Sequence, residues 1–332
     1  MDEKSFKVDF PNENRSVRLI PGNSVMDALL KADLKADMAC GGNGICGKCI
    51  IRLISGKLEG GKIEDDFFLA CRAIPLTDCE IEVVTRQGKV ETVPFTGGII
   101  PGINILNINP PSLQSLNPND PLIKNALGAA IDIGTTTVAG VLCRLSSGEI
   151  LSFESTGNPQ SIYGADVISR ITHASDSNGL DDLHRLIVKC VNEMIDVLCR
   201  SSKTERVNLL DIVVSGNAAM NHLFIGKSPA SLGFAPYKPF FKIHEPVPAI
   251  DLGISANSMC TIKILPNIEG FVGGDAVAGI LATEIDRSEK PKLLIDIGTN
   301  GEIVLSDGKN LYACSAAAGP AFEGGRIIMG MR

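Results

Sequence analysis

The chain lacks any long apolar run: no stretch reaches the roughly 18–20 residues of a membrane span, so a transmembrane protein is not expected. The opening Met1-Asp2-Glu3-Lys4 leads into no apolar core of a secretory leader, and the expected compartment is the reducing cytoplasm. Basic residues are in deficit. The 31 Lys and Arg stand against 38 Asp and Glu, a formal charge of −7 that argues against nucleic acid and leaves a basic or neutral protein partner open. Two nucleotide signatures are missing: there is no G-x-x-x-x-G-K-[ST] loop and no G-x-G-x-x-G behind a strand, which weakens P-loop and Rossmann readings. Histidine is scarce, with 4 in 332 residues. The length, with 44% apolar and 21% charged residues, suits two or more globular domains.

What is present is concentrated in one loop. Met38-Ala39-Cys40-Gly41-Gly42-Asn43-Gly44-Ile45-Cys46-Gly47-Lys48-Cys49 places three cysteines within ten residues, separated by five and then two. Its glycines let a short backbone bend around a compact inorganic core and bring N–H groups up to it. A further thiol, Cys71, follows in Phe68-Leu69-Ala70-Cys71-Arg72. Zinc sites usually show two C-x2-C pairs or histidine partners; here a single pair stands with no histidine nearby. Disulfides are disfavoured without a secretory leader. The expected ligands of a [2Fe–2S] cluster are Cys40, Cys46, Cys49 and Cys71, as in the C-x4-C-x2-C plus distant cysteine of plant-type ferredoxins, with the first gap one residue longer here. Cys79 is the alternative fourth ligand, although the alternating Glu80-Ile81-Glu82-Val83-Val84 behind it assigns it to a strand. Cys143, Cys190, Cys199, Cys260 and Cys314 read as small buried hydrophobes. Lys48 and Arg72 flank the loop, as a solvated face or as groups that tune the centre or dock a partner.

Around that loop, Phe6–Phe10 alternates as a strand and Ser16–Ile20 reads as its hairpin partner. Ser24 is placed to cap a helix through Val25, Ala28, Leu29 and Leu30, and Cys49–Leu53 reads as a strand. This order resembles the β-grasp ferredoxin domain over residues 4–90. Between Pro94 and Asn125, prolines and glycines break regular structure, giving an expected linker at 95–125 or an ordered strap carrying Ile99, Ile103, Ile105 and Ile108.

The second half opens with three expected strands, Gly128–Ile133, Thr137–Leu142 and Glu149–Phe153. Helices are expected over Tyr163–Ala174 and Leu180–Arg200, then a strand Leu210–Val214 ending in Ser215-Gly216-Asn217, and a helix through Leu223. The turn Asp132-Ile133-Gly134-Thr135 recurs as Asp296-Ile297-Gly298-Thr299, again between apolar strands, with Leu311–Cys314 as a third strand. A tight Gly-Thr hairpin offers successive N–H groups and hydroxyls to phosphate oxygens, and the aspartate before it can hold a hydrated Mg²⁺. Duplication turns an ordinary hairpin into a candidate two-sided phosphate clamp. The candidate nucleotide residues are Asp132, Gly134, Thr135, Thr136, Asp296, Gly298, Thr299 and Asn300. His222, in an apolar helix, reads as a core or cap residue. Asp275, behind Gly273-Gly274, reads equally as a helix cap or as a group orienting water. Tyr237-Lys238-Pro239-Phe240-Phe241 is an apolar loop that meets a partner or plugs the core.

The duplicated turn resembles the actin, sugar-kinase and heat-shock-chaperone superfamily. With the ferredoxin block, Ser215–Leu223, Phe271–Asp275, Asp296–Glu302 and Ala316–Gly324, the whole chain resembles the ATP-dependent reductive activators of corrinoid proteins. The resemblance implies an α+β multidomain protein: a β-grasp ferredoxin-like domain at 1–94, the linker at 95–125, a first ribonuclease H-like subdomain at 126–228 and an incomplete second one at 229–332. It implies electron transfer that returns Co(II) corrinoid protein of a methyltransferase system to Co(I), coupled to ATP and Mg²⁺ and fed by a low-potential donor. Relatives carry a further domain before the first hairpin and more chain after the Gly-rich end. The sequence therefore reads as a truncated or fragmentary activator with weak or no ATP affinity, its oligomeric state, a homodimer included, left open. The competing reading is a ferredoxin-type carrier with a docking or regulatory module. A sugar-type kinase would need an acceptor pocket that no motif supplies.

Overall fold

The computed structural model describes residues 5–34, 44, 49–84 and 124–317. Cys40, Cys46, Lys48, the expected linker to residue 123 and the glycine-rich 318–324 stretch lie outside the described residues. The chain divides into two compact units, residues 1–89 with 161–165, and residues 90–160 with 166–332.

In the first unit, β1 (Phe6–Phe10) and β2 (Arg15–Leu19) form the expected antiparallel hairpin. Helix α1 (Val25–Lys31) starts at a capping box: Asp27 Oδ2 accepts the Ser24 N–H at 2.7 Å while the Ser24 hydroxyl faces the Asp27 N–H. Val25, Met26, Ala28 and Leu29 then turn inward, each large side chain contributing about 1.5–3 kcal/mol by burial. The chain continues through β3 (Ile50–Ser55), β4 (Leu58–Glu59), β5 (Lys62–Glu64), β6 (Phe67–Leu69), β7 (Ile74–Pro75) and β8 (Cys79–Val83). The main sheet is ordered β2-β1-β8-β3-β6-β5, with β8 parallel to β1. Val8, Phe10, Leu19, Ile51 and Ile81 from this sheet meet α1 in one core.

In the second unit, β9 (Leu127–Ile133), β10 (Thr137–Arg144) and β11 (Ile150–Gly157) are the expected meander. The helix expected from Tyr163 begins at Val167 as α2 (Val167–Ala174): Pro159–Tyr163 forms a 3-10 turn, and Asp166 caps the helix by accepting the Ser169 N–H at 2.8 Å. Helix α3 (Gly179–Ser202) buries Leu183, Ile187, Val191, Met194 and Leu198, the stripe seen in its sequence. Then come β12 (Leu209–Gly216), α4 (Ala218–Ile225), β13 (Val247–Pro248) and β14 (Thr261–Ile264). The sheet is ordered β11-β10-β9-β12-β14-β13, with β12 parallel to both β9 and β14. The expected division at residue 228 therefore falls inside this sheet, because residues 247–264 return to extend it. A parallel neighbour needs a long crossover, and the four-residue β14 is too short to show a period in the sequence. Helix α5 (Gly274–Thr283) follows, then a three-stranded antiparallel sheet of β15 (Lys292–Ile297), β16 (Asn300–Ser306) and β17 (Leu311–Ala317). Among the described residues no helix is long and apolar enough to cross a membrane.

Candidate functional site

The first unit converges on a pair of thiols. Pairing of Ile50 with Leu69 lays the segment after β6 beside the start of β3. The Ala70 N–H donates to the Cys49 carbonyl at 2.8 Å, the Met26 N–H to Ala70 O at 3.1 Å and the Val25 N–H to Ala73 O at 2.8 Å. The unsatisfied first-turn donors of α1 thus hold the turn that carries Cys71. Cys71 Sγ lies 3.3 Å from Cys49 Sγ. That is far beyond the ~2.05 Å of a disulfide and near the ~3.8 Å between two sulfurs set ~2.3 Å from one tetrahedral metal. Gly44 has φ +71, a conformation that favours glycine, and lies against the Arg72 side chain, where a Cβ would sit 2.3 Å from Nε. Cys79 does not join the pair. It is buried at the start of β8 opposite Val8, and burial, with the charges of Asp78 and Asp9, pushes its thiol up to about 12. A thiol so held resists the thiolate form that a metal requires. The described residues therefore fit a metal-sulfur centre through Cys49 and Cys71; the expected Cys40 and Cys46 lie outside them.

The second unit converges on a cleft. All eight candidate nucleotide residues line it, together with Thr137, Asn217, Asp275 and Glu302. The two Asp-Ile-Gly-Thr turns touch: Thr136 Oγ1 and Thr299 Oγ1 are 2.9 Å apart. They are not identical in shape. In the first, the Gly134 N–H donates to Thr137 O at 2.9 Å; in the second, the Gly298 N–H donates to Asn300 O at 3.1 Å, closing a turn one residue shorter. The first turn is braced from behind. The Asn158 amide donates to Gly134 O at 2.8 Å, the Asn158 N–H to Thr136 O at 2.7 Å, and the Arg170 guanidinium to Thr135 O. Arg170 is fully buried, and burial pushes its guanidinium down to about 9, still protonated at neutral pH. Asn217 caps α4 by accepting the Met220 N–H at 3.1 Å and donates to Thr135 Oγ1 at 3.0 Å. The sequence placed Asn217 at the end of a strand before an expected helix; Asn158 and Arg170 carried no local signal, because their roles depend on packing behind the turn.

Four carboxylates face the cleft. Asp132 accepts from the Ser215 hydroxyl at 2.7 Å; burial raises its pKa, Ser215 opposes this and Asp296 adds to it. Burial likewise raises Glu302, against a hydrogen bond from Ser315. Asp275 is the most displaced, pushed up to about 7 by burial and then by the charge of Glu302. The cap of α5 is Gly273, so Asp275 is no N-cap; its Oδ1 accepts the neighbouring Ala276 N–H at 2.8 Å. Among the described residues no group of three such side chains is arranged to hold a metal ion directly. The cleft encloses about 160 Å³, below the ~300 Å³ at which sites for whole drug-sized ligands begin. His222 is a core residue: its Nδ1 faces Ala218 O at 2.6 Å and its Nε2 accepts the Phe240 N–H at 3.0 Å. Burial lowers its pKa, in keeping with a neutral ring.

A β-grasp unit with converging cysteines, joined to a ribonuclease H-like unit with paired phosphate-type hairpins, defines an iron–sulfur protein with an actin-superfamily domain. Residues 10–76 match the family described as the 2Fe-2S iron-sulfur cluster binding domain, 127–288 the RACo middle region, and 290–332 the C-terminal domain of RACo, the ASKHA domain. A 2Fe-2S domain followed by the RACo middle and C-terminal regions makes the chain similar, along its length, to the reductive activators of corrinoid proteins. It is 28% identical over 385 residues to the corrinoid activation enzyme RamQ of Eubacterium limosum, covering 98% of this chain and 63% of that protein. It is 31% identical over 219 residues to the [Co(II) methylated amine-specific corrinoid protein] reductase of Methanosarcina barkeri, covering 61% of this chain and 38% of that one. The solved structure titled reductive activator for corrinoid, iron-sulfur protein aligns with TM-score 0.62 at 28% identity, over 98% of this chain and 65% of its own. The chain thus spans less than two thirds of the length of these relatives.

Proposed function

We propose that this chain is an electron-transfer activator that returns a corrinoid protein of a methyltransferase system from Co(II) to Co(I), with Mg-ATP acting at the cleft. The observation that carries the reading is the facing pair of Gly-Thr turns, in contact through Thr136 and Thr299, in a chain that also brings two thiols together. A [2Fe–2S] cluster held by Cys49 and Cys71, with Cys40 and Cys46, would supply single electrons at low potential. A low-potential donor would feed it, and a reducing cytoplasm suits a chain with ten cysteines.

The cleft suits a metal–phosphate pair better than a bare anion. Its carboxylates would repel phosphate alone, whereas a hydrated Mg²⁺ between them and the turns neutralises both sides. With no three ligands poised for direct coordination among the described residues, the ion would keep its waters, as Mg²⁺ commonly does. Asn217 and the groups behind Gly134 and Thr135 hold the first turn ready. Asp275, which lines the cleft and titrates near neutrality, would serve as the base toward an attacking water. A nucleotide whose phosphates lie between the turns must part the Thr136–Thr299 contact, so binding changes how the two hairpins meet.

The test is reduction of a purified Co(II) corrinoid protein, followed by loss of its Co(II) paramagnetic signal, with and without millimolar Mg-ATP. Stimulation by Mg-ATP that disappears in Asp132→Asn is expected. Equal reduction with and without nucleotide would leave only a ferredoxin-type carrier.

A further inference from the structure

The 226–244 segment combines basic residues with exposed apolar side chains. It holds Lys227, Lys238, Lys242 and His244 and no Asp or Glu, in a protein of net charge −7. Three of its apolar side chains are exposed: Phe234 is 74% exposed, Phe240 72% and Ile243 77%. Exposed aromatics gathered on one loop mark interaction sites when the backbone beneath them is fixed.

That backbone is fixed at several points. The Phe240 N–H donates to His222 Nε2 at 3.0 Å, and the Phe241 ring stacks on His222 with centroids 4.4 Å apart. The Asn267 side chain donates to Phe241 O at 3.2 Å, and its backbone N–H to Lys242 O at 2.7 Å. Tyr237 packs on Phe271 with centroids 5.4 Å apart, over Gly270, where a Cβ would lie 1.9 Å from Tyr237 O. Lys242 pairs with Glu269. The anchors return to α4: His222 lies on it, and Asn221, also on it, donates to Asn267 Oδ1 at 2.8 Å. The same helix begins at Asn217, which holds Thr135 of the first phosphate-type turn. One rigid element thus joins the aromatic loop to the cleft.

We infer that the loop from Phe234 to His244 is the docking surface for the corrinoid protein, and that it takes an acidic, apolar-centred face of that partner. The identity of the partner rests on the function proposed above; the surface and its chemistry rest on the loop. Phe234, Phe240 and Ile243 are the apolar anchors, and Lys238 and Lys227 supply the basic rim. Docking there presses on α4, so the occupied surface and the nucleotide cleft share a mechanical path.

The experiment measures KM for the Co(II) corrinoid protein during reduction by the full chain. The variants are Phe234→Ser/Phe240→Ser/Ile243→Ser, Lys238→Glu, and the conservative Phe234→Leu/Phe240→Leu. The triple serine variant is expected to raise KM about tenfold or more, with an unchanged visible spectrum and unchanged melting temperature. The leucine variant should retain most of the wild-type KM, and Lys238→Glu should raise KM at low salt and flatten its salt dependence. Wild-type reduction with the same KM in every variant overturns the docking surface and leaves the function standing. A wild-type chain that neither binds nor reduces the corrinoid protein overturns the function and the partner together. A wild-type dimer in sedimentation that the serine variant abolishes, with KM unmoved, assigns the loop to a second copy and overturns the inference.

Discussion

Asp275 shows how one side chain reports its surroundings. Its carboxyl ordinarily titrates at 3.8, and burial beside Glu302 lifts it to about 7. The folded protein then keeps a proton that the unfolded chain releases between those values, so stability falls as pH rises from about 4 to 7. Asp275→Asn should flatten that dependence in thermal melts; an unchanged profile would place the titration elsewhere. The same variant should remove the limb near neutrality from any pH profile of nucleotide hydrolysis, where the ionised form is the active one. At the other site, Cys71→Ser should abolish the visible absorption and the iron and sulfide content of anaerobically purified protein. Cys79→Ser should keep both, because Cys71, not Cys79, meets Cys49. The reverse result would make Cys79 the ligand.

At the scale of elements, α4 and the two hairpins act as one device. Asn217 both caps the helix and holds Thr135, so Asn217→Ala should cost about 1 kcal/mol in stability as a lost cap and also weaken phosphate binding. Asn217→Asp keeps the cap and loses the donor; it should restore stability without restoring phosphate binding, which denaturant titration and calorimetry separate. Gly273 lets α5 start against α4: a Cβ there would sit 2.6 Å from Asn217 Cα and Ala218 N. Gly273→Ala should therefore disturb the Asn217 contact without touching a hairpin. The small cleft leads to a comparison of ligands. Mg-tripolyphosphate and Mg-ATP should bind residues 1–332 with similar, weak affinities by calorimetry. An ATP preference above tenfold would mean that the base has a pocket of its own.

At the scale of the molecule, the three-stranded sheet presents one apolar face without cover among the described residues. Leu293, Ile295 and Ile297 of β15 share that face with Leu305 of β16 and Tyr312 of β17 through the register Leu293–Leu305–Tyr312 and Ile295–Ile303–Cys314. Ile297 is 72% exposed and Leu293 57%. A face of this kind binds hydrophobic probes and promotes association. The isolated chain should enhance the fluorescence of an apolar dye, and Leu293→Lys with Ile295→Thr should lower it without shifting the melting temperature. A dye signal unaffected by that pair would locate the apolar surface elsewhere.

The sequence by itself determined the parts that are local. Alternation fixed β1 and the β9–β10–β11 meander, the Ser24–Asp27 box fixed the start of α1, and the cysteine spacing and repeated Asp-Ile-Gly-Thr named both candidate sites. These signals lie in the period of side chains and in residues that cap or turn, which neighbours in the chain decide. The tertiary structure decided what depends on residues far apart. It set Cys71 rather than Cys79 beside Cys49, through a turn pinned by α1. It returned the short β14 to the first sheet, put Arg170 and Asn158 behind the phosphate-type turn, and brought Thr136 to Thr299 across 163 residues. It also left the 234–243 aromatics outside the core. Long-range pairing and burial follow from how whole elements pack, and no local pattern in the chain encodes which distant partner a side chain will meet.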